Sequence, residues 1–356
     1  MNTRSRVRKN LENFSLPSDP EDSEGDIESE EEERYDLSDS DDDANSVDQD
    51  SDDTDCSDSE NPHNTENGKW VADRWNCRDN LNFEKDPTIL VQMGKKVKES
   101  DFFDLFFTQD ILQKIVEETN MYFHQNKKKE SKYAYELSID ELRAWIGMLI
   151  LMGIHRLPQQ KNFWSTDPAL RVDFIANIMT RDRFRKIAEI LHLNDNNKVL
   201  EKSDPNYDRL FKVRPLVDHL NKKAQEIYSP SKVLAVDESM IKFKGRSSLK
   251  QYMPMKPIKR GYKVWCLADS QSSYIFKFEI YTGKSTDSQK SQETLGERVV
   301  TNLTKDLRGS KSLVAFDNFF TSVDLVTSLL QNQIFSVGTV RVNRKGLPEI
   351  MKNKKN

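Results

Sequence analysis

The chain has 356 residues, enough for one large domain or two of ordinary size, and a formal net charge of −5. That small figure hides a segregation: residues 1–66 hold 5 Lys and Arg against 24 Asp and Glu, a net of −19, while the remainder carries +14. The longest apolar run, Trp145 to Ile154, is half a membrane span, the first residues hold no apolar signal segment, and Cys56, Cys77 and Cys266 are too scattered for a zinc site of the usual spacing, so membrane-spanning, secreted and zinc-module readings are set aside in favour of an intracellular, reducing setting.

Taken in chain order, residues 1–66 are rich in Asp, Glu and Ser and nearly without aromatics. Such a segment cannot bury enough apolar surface to offset its ordering entropy, so a disordered acidic tail is expected. Ser18, Ser23, Ser29, Ser38, Ser40 and Ser57 each have an acidic residue three positions on, the pattern that acidophilic kinases favour. Arg4, Arg6, Arg8 and Lys9 form a short basic cluster of the kind that serves as a nuclear address. Residues 67–99 read as a linker. From 100 to 230 the pattern is helical. The spacing predicts a helix over Asp101–Gln125 with Ser100 as its N-cap, a second opened by a Ser138–Glu141 capping box and running through Met152, and a third over Thr180–Leu193 with Phe184, Ile187, Ile190 and Leu191 on one face. The aromatics of this stretch are expected in the core.

After Ser231 the period changes. Strands are predicted at Lys232–Met240, Lys263–Asp269 and Tyr274–Tyr281, then a helix over Thr294–Leu307, a strand over Ser312–Phe319, a helix over Val323–Gln331 and a fifth strand over Phe335–Val342. That order is α/β with a partly parallel sheet.

Two acids interrupt these apolar strands. Asp237 lies late in the first, and Asp317 holds the corresponding place after Leu313–Phe316. A charge in a sheet centre is costly unless it is paired or metal-bound. Two buried acids at the exits of neighbouring strands therefore suggest one shared cation site, and carboxylate oxygens suit Mg²⁺ or Mn²⁺. Beside them, the stretch from Lys242 to Lys263 carries Lys242, Lys244, Arg246, Lys250, Lys256, Lys259, Arg260 and Lys263 with no acidic residue. Its Gly245, Pro254, Pro257 and Gly261 argue for an extended connection, and its charge for contact with a polyanion. Glu238, Asp269 and Asp287 are nearby carboxylates to which no metal role is assigned.

Several strings resemble one family. VDESMIKFKGRSSLKQYMPMKPIKRGYKVW with YIFKFEIYTGK is similar to the first catalytic block of piggyBac transposases. LVAFDNFFTSVDLVTSLL and FSVGTVRVNRKGLP resemble the second block and the strand after it, while ELRAWIGMLILMGIHRLPQQKNFWS and TRDRFRKIAEILHLND look like the family's helical half. The likeness runs in order over about residues 90–350. It implies an RNase H-like catalytic core over 231–356, preceded by a helical DNA-binding and dimerisation domain over 100–230. It further implies a reaction at TTAA sites through a metal-dependent DDE/DDD mechanism. Asp237 and Asp317 match the family's first and second catalytic aspartates. The third falls beyond the fifth strand, and the chain ends at Asn356 before reaching it or the family's cysteine-rich end-recognition domain.

The expected function is therefore that of a piggyBac transposase-derived, DNA-binding protein of the nucleus that does not cut DNA unaided. Its expected partners are double-stranded DNA and a second copy of itself, with no membrane and no small-molecule substrate. Two alternatives stay open: a domesticated chromatin scaffold whose acidic tail recruits partners, and a fragment of a full-length active transposase.

Overall fold

The computed structural model describes residues 86–126, 133–283 and 294–348. The expectations for the acidic tail, for most of the 67–99 linker and for Asp287 fall outside them. The chain divides into two compact units, one of residues 112–192 and one combining 86–111 with 193–348.

The first unit is helical, and one further helix, belonging to the second unit, precedes it in the chain. The predicted helix over Asp101–Gln125 is two helices, α1 (Glu99–Phe106) and α2 (Gln109–Gln125). Phe107 leaves helical geometry at φ −98 and ψ 69 while its N–H still closes on Phe103, and the two rings stack at 4.6 Å. Ser100 lies inside the first turn of α1. The cap is made instead by the Asp101 carboxylate, which accepts the Lys98 N–H at 2.9 Å.

Helix α3 (Ile139–Ile154) opens with the Ser138 hydroxyl accepting the Glu141 N–H at 3.3 Å. Only that half of the predicted box forms, because the Glu141 carboxylate turns inward to Arg183. Short α4 (Asp173–Ile178) follows, then α5 (Arg181–Ile190), capped by Thr180. Phe184, Ile187 and Ile190 of α5 pack inward with Leu112, Leu142, Trp145, Met148 and Phe163, while Leu191 stays half-buried. Both tryptophans find acceptors: Trp145 Nε1 donates to the Phe184 carbonyl at 3.1 Å and Trp164 Nε1 to that of Met179 at 2.8 Å.

One ion pair lies in this core. Arg183 Nη2 meets Glu141 Oε2 at 2.9 Å with both side chains almost fully buried. Arg183 Nε also donates to Glu141 Oε1 at 3.2 Å, and Nη1 and Nη2 reach the carbonyls of Tyr133, Tyr135 and Glu136. The Tyr135 ring lies 3.7 Å from the guanidinium carbon, and its hydroxyl donates to Glu141 at 3.1 Å. So many partners are what makes a buried charge pair tolerable.

The second unit is a six-stranded mixed sheet with its helices. Helix α6 (Arg214–Ile227) leads through a two-stranded pairing of β1 (Thr88–Ile89) with β2 (Tyr228–Ser229) into β3 (Val233–Lys242). Then come β4 (Gln251–Tyr252), β5 (Arg260–Asp269), β6 (Ile275–Ile280), α7 (Leu295–Thr304), β7 (Leu313–Phe316), α8 (Val323–Gln331) and β8 (Phe335–Gly338). The strand order is β4–β5–β3–β7–β8, with β6 also on β5. Strands β3, β5 and β6 are antiparallel, whereas β7 joins β3, and β8 joins β7, in parallel. Helical crossovers make the parallel additions possible, since a parallel neighbour cannot be reached by a tight turn.

Leu234, Val236, Leu267, Val314 and Phe316 bury one sheet face against Val299, Val300, Leu303, Leu325 and Leu329 of α7 and α8. At the β6 edge, the Asn221 side chain accepts the Phe278 N–H at 2.8 Å and donates to its carbonyl at 2.9 Å. That contact ties α6, expected within the 100–230 helical segment, to the sheet.

Candidate functional site

The parallel ladder of β3 and β7 ends at the pair Val236 and Phe316. Asp237 and Asp317 are the next residue on each strand, so they leave adjacent strands, about 4.8 Å apart in any sheet, at the same edge. Strand β3 itself continues to Lys242, paired with β5 alone. Both acids are exposed, not buried as their apolar sequence surroundings suggested. The correction has a simple cause: β7 stops at Phe316, so no neighbouring strand covers Asp237 on that side, and Asp317 begins a turn.

Each carboxylate is oriented by backbone. Asp237 Oδ1 accepts the N–H of Glu238 at 2.8 Å, and Asp317 Oδ1 accepts that of Phe319 at 3.0 Å. The Asp317 turn is held further by Thr321, whose hydroxyl donates to the Asp317 carbonyl at 2.8 Å. Arg344 donates to the carbonyls of Asn318 at 3.1 Å and Phe319 at 2.7 Å, and Arg341 reaches the Asn318 side chain. Gly338 closes the gap behind the turn, because a Cβ there would meet the Phe316 carbonyl oxygen at 2.6 Å. Sequence reasoning did not single out Arg341 and Arg344. The signal was the VRVNRK run just past β8, whose exit lies beside that of β7.

What burial Asp237 has pushes its carboxyl above the ordinary aspartate range, and the adjacent Glu238 charge adds to this, against the opposing Glu238 N–H and Lys256 charge. A folded acid that ionises later than the unfolded one makes the native state hold the proton through the interval between them. Stability then falls as pH rises through that interval, and the full cost is present above it. Asp237→Asn, melted at pH 7 without divalent cation, is expected to unfold at a higher temperature than the parent. That gap should close near pH 3, where both forms are neutral; a lower midpoint at pH 7 contradicts the sign.

Glu238 is paired across the ladder with Trp265, as Asp237 is with Cys266. Burial works to raise the Glu238 carboxyl, but the Lys256 hydrogen bond and charge, helped by Lys263, overcome it and hold it low. Lys256 Nζ lies 2.7 Å from Glu238 Oε1, and its ammonium also feels Asp237 and Asp317. Asp269, by contrast, is structural: it accepts the N–H groups of Gln271 at 2.7 Å and Ser272 at 3.1 Å, and the Ser231 hydroxyl at 3.1 Å, at the far end of β5.

The basic stretch is not helical, as expected, but it is not one extended run either. It doubles back so that β4 pairs with the start of β5, Tyr252 opposite Arg260 and Gln251 opposite Gly261. A Cβ at Gly261 would stand 1.9 Å from the Ile241 carbonyl oxygen, so glycine permits β3 and β5 to close at this point. Arg209, also missed in the sequence, clasps the loop by donating to the carbonyls of Thr282 and Ser248. The eight candidate cations therefore separate. Lys242, Lys244, Arg246, Lys259 and Arg260 are exposed around the loop. Lys250 donates to the Gly245 carbonyl at 2.8 Å, and Lys256 belongs to Glu238. Lys263 is only 7% exposed, seated 4.1 Å over the Trp265 ring and 5.5 Å from that of Phe319. It is a core cation inside β5, where the sequence had suggested a surface one.

Carboxylates from two adjacent strand ends are hard oxygen donors, and Mg²⁺ is commonly held by only one or two such groups plus water and substrate phosphate. The pair fits that mode. Among the described residues no group of three or more His, Cys, Asp or Glu side chains is arranged to hold a metal.

A family model described as Transposase IS4 matches residues 98–356. PiggyBac transposable element-derived protein 2 of Homo sapiens is 33% identical over 262 residues, which cover 73% of this chain and 42% of that protein. The chain belongs to the piggyBac transposase family. A second human relative, piggyBac transposable element-derived protein 3, is 30% identical over 68% of this chain and 40% of its own length. The chain thus spans less than half of either relative. Among solved structures, a piggyBac transposase seen by cryo-EM in a synaptic complex with hairpin DNA matches with a TM-score of 0.63 and 30% identity, over 73% of this chain and 54% of that one. The mixed α/β fold is therefore shared with a piggyBac transposase. No helix among the described residues is long and apolar enough to cross a membrane.

Proposed function

We propose that this chain is a transposase-derived DNA-binding protein whose sheet unit is an RNase H-like core. Its double-stranded DNA would run past Asp237 and Asp317 along the exposed basic loop. One observation carries the reading: the two aspartates leave neighbouring parallel strands at the same edge, and β3, which bears the first, leads directly into the Lys- and Arg-rich loop. The three longer antiparallel strands β3, β5 and β6, followed by the parallel additions β7 and β8, support the RNase H-like assignment. The piggyBac transposase structure, solved with hairpin DNA, supports nucleic acid as the partner class.

On this reading Lys242, Lys244, Arg246, Lys259 and Arg260 hold the phosphate backbone, while Arg344 and Thr321 keep Asp317 aimed at the same strand. A divalent cation bound to the two acids would polarise a phosphate oxygen and lower the pKa of a bound water. Residues 100–230 are proposed to supply further DNA contacts and a homodimer interface, TTAA-containing duplex to be the preferred target, and the nucleus to be the working compartment.

Duplex affinity measured across salt concentration tests the central part. Each neutralised phosphate releases counterions, so log K should fall linearly with log salt at about 0.9 per phosphate. A flat dependence would remove DNA from the account.

A further inference from the structure

Lys256 differs from the other loop cations in what it touches. Its ammonium lies 2.7 Å from the Glu238 carboxylate, with the two side chains 35% and 14% exposed. Glu238 is the residue after Asp237, and Lys256 is near enough for its charge to act on Asp237 and Asp317 as well. One lysine thus pairs with Glu238 and lies within electrostatic reach of the two aspartates where β3 and β7 part. Its backbone is held independently of that contact: Lys256 N–H closes a turn on the Met253 carbonyl at 3.2 Å, and Pro254 and Pro257 stand within that turn and just beyond it. The long side chain can therefore leave while the loop keeps its shape.

We infer that Lys256 is a tethered counterion of the acid edge, competing with a divalent cation for the charge of Asp237, Glu238 and Asp317. This rests on the reading of Asp237 and Asp317 as cation ligands. With no metal bound, the ammonium offsets the three negative charges that would otherwise repel one another. When a divalent cation arrives, the two positive charges are too close to share the edge, and the lysine must withdraw. A staple that merely ties the loop to β3 would have no such effect on cation affinity.

The test is Mn²⁺ binding to the full 356-residue chain, followed by the electron paramagnetic resonance signal of free Mn²⁺. Lys256→Gln is expected to tighten binding on the order of tenfold, the effect of removing a unit charge within several ångström of a divalent ion. Lys256→Arg, which keeps the charge, should bind like the parent. Affinity that is unchanged or weaker in Lys256→Gln overturns the inference. Binding that survives in the Asp237→Asn, Asp317→Asn double variant overturns the underlying cation reading instead, as does a lack of Mn²⁺ binding in every protein.

The unaltered chain supplies a second readout that needs no folded variant. Acylation of lysines by an N-hydroxysuccinimide ester, mapped by mass spectrometry, should rise at Lys256 when Mn²⁺ is added and stay level at exposed Lys242 and Lys244. A Lys256 rate that does not change while Mn²⁺ is bound contradicts displacement.

Discussion

Arg183→Ala is expected to destabilise the helical unit by about 3–5 kcal/mol, as breaking a buried ion pair from one side does. The loss goes beyond a salt bridge, because the Glu141 carboxyl would be left inside the core without its ionic partner. The carbonyls of Tyr133, Tyr135 and Glu136 would lose their donors at the same time. A drop of that size is a large share of a typical domain's stability, so helical signal and thermal midpoint should fall together. Replacing both partners, Arg183→Met with Glu141→Leu, is expected to recover much of the loss, since an apolar pair of similar volume has no charge to desolvate. Equal instability in the single and double variants would mean that the guanidinium works mainly by tying down the 133–136 backbone.

The second large effect concerns the loop. Changing Lys242, Lys244, Arg246, Lys259 and Arg260 together to glutamine should weaken duplex binding by orders of magnitude at low salt. The salt slope should shrink by about 0.9 for every phosphate that the loop no longer neutralises. Lys263→Gln should behave differently. Its ammonium is packed against Trp265, Tyr281 and Phe319, so that change is expected to lower thermal stability and leave the salt slope of the folded protein nearly unaltered. A slope that responds to Lys263 as strongly as to the surface residues would contradict the separation made from burial.

The contrast between those lysines shows where sequence reading reaches its limit. A run of basic residues looks uniform in one dimension, yet β5 begins at Arg260 and alternation carries Lys263 inward while Arg260 and Tyr262 stay outside the core. Trp265 is the one local sign of this, because the other aromatic rings that receive Lys263 come from the end of β6 and the turn after Asp317. Arg183 was hidden in the same way, standing in a charged TRDRF string whose partner is 42 residues away. Contacts between nearby residues were easier to read. Helix α8 runs over Val323–Gln331 as predicted, with Ser322 capping it through the Leu325 N–H at 3.1 Å. The two aspartates were legible because each breaks an apolar strand, and strand order then brought them to one edge. Their exposure was not legible, since it depends on β7 ending at Phe316.

Whether Asp237 and Asp317 meet around the same divalent cation is decided most directly by iron-directed cleavage. Fe²⁺ is supplied as the divalent ion, and peroxide with ascorbate cuts the polypeptide wherever the iron is bound. The expected products come from cuts close to residue 237 and close to residue 317, both suppressed by excess Mg²⁺ and both lost in Asp237→Asn. Cleavage at only one of the two strand ends, or cleavage elsewhere that Asp237→Asn leaves intact, would contradict the shared site.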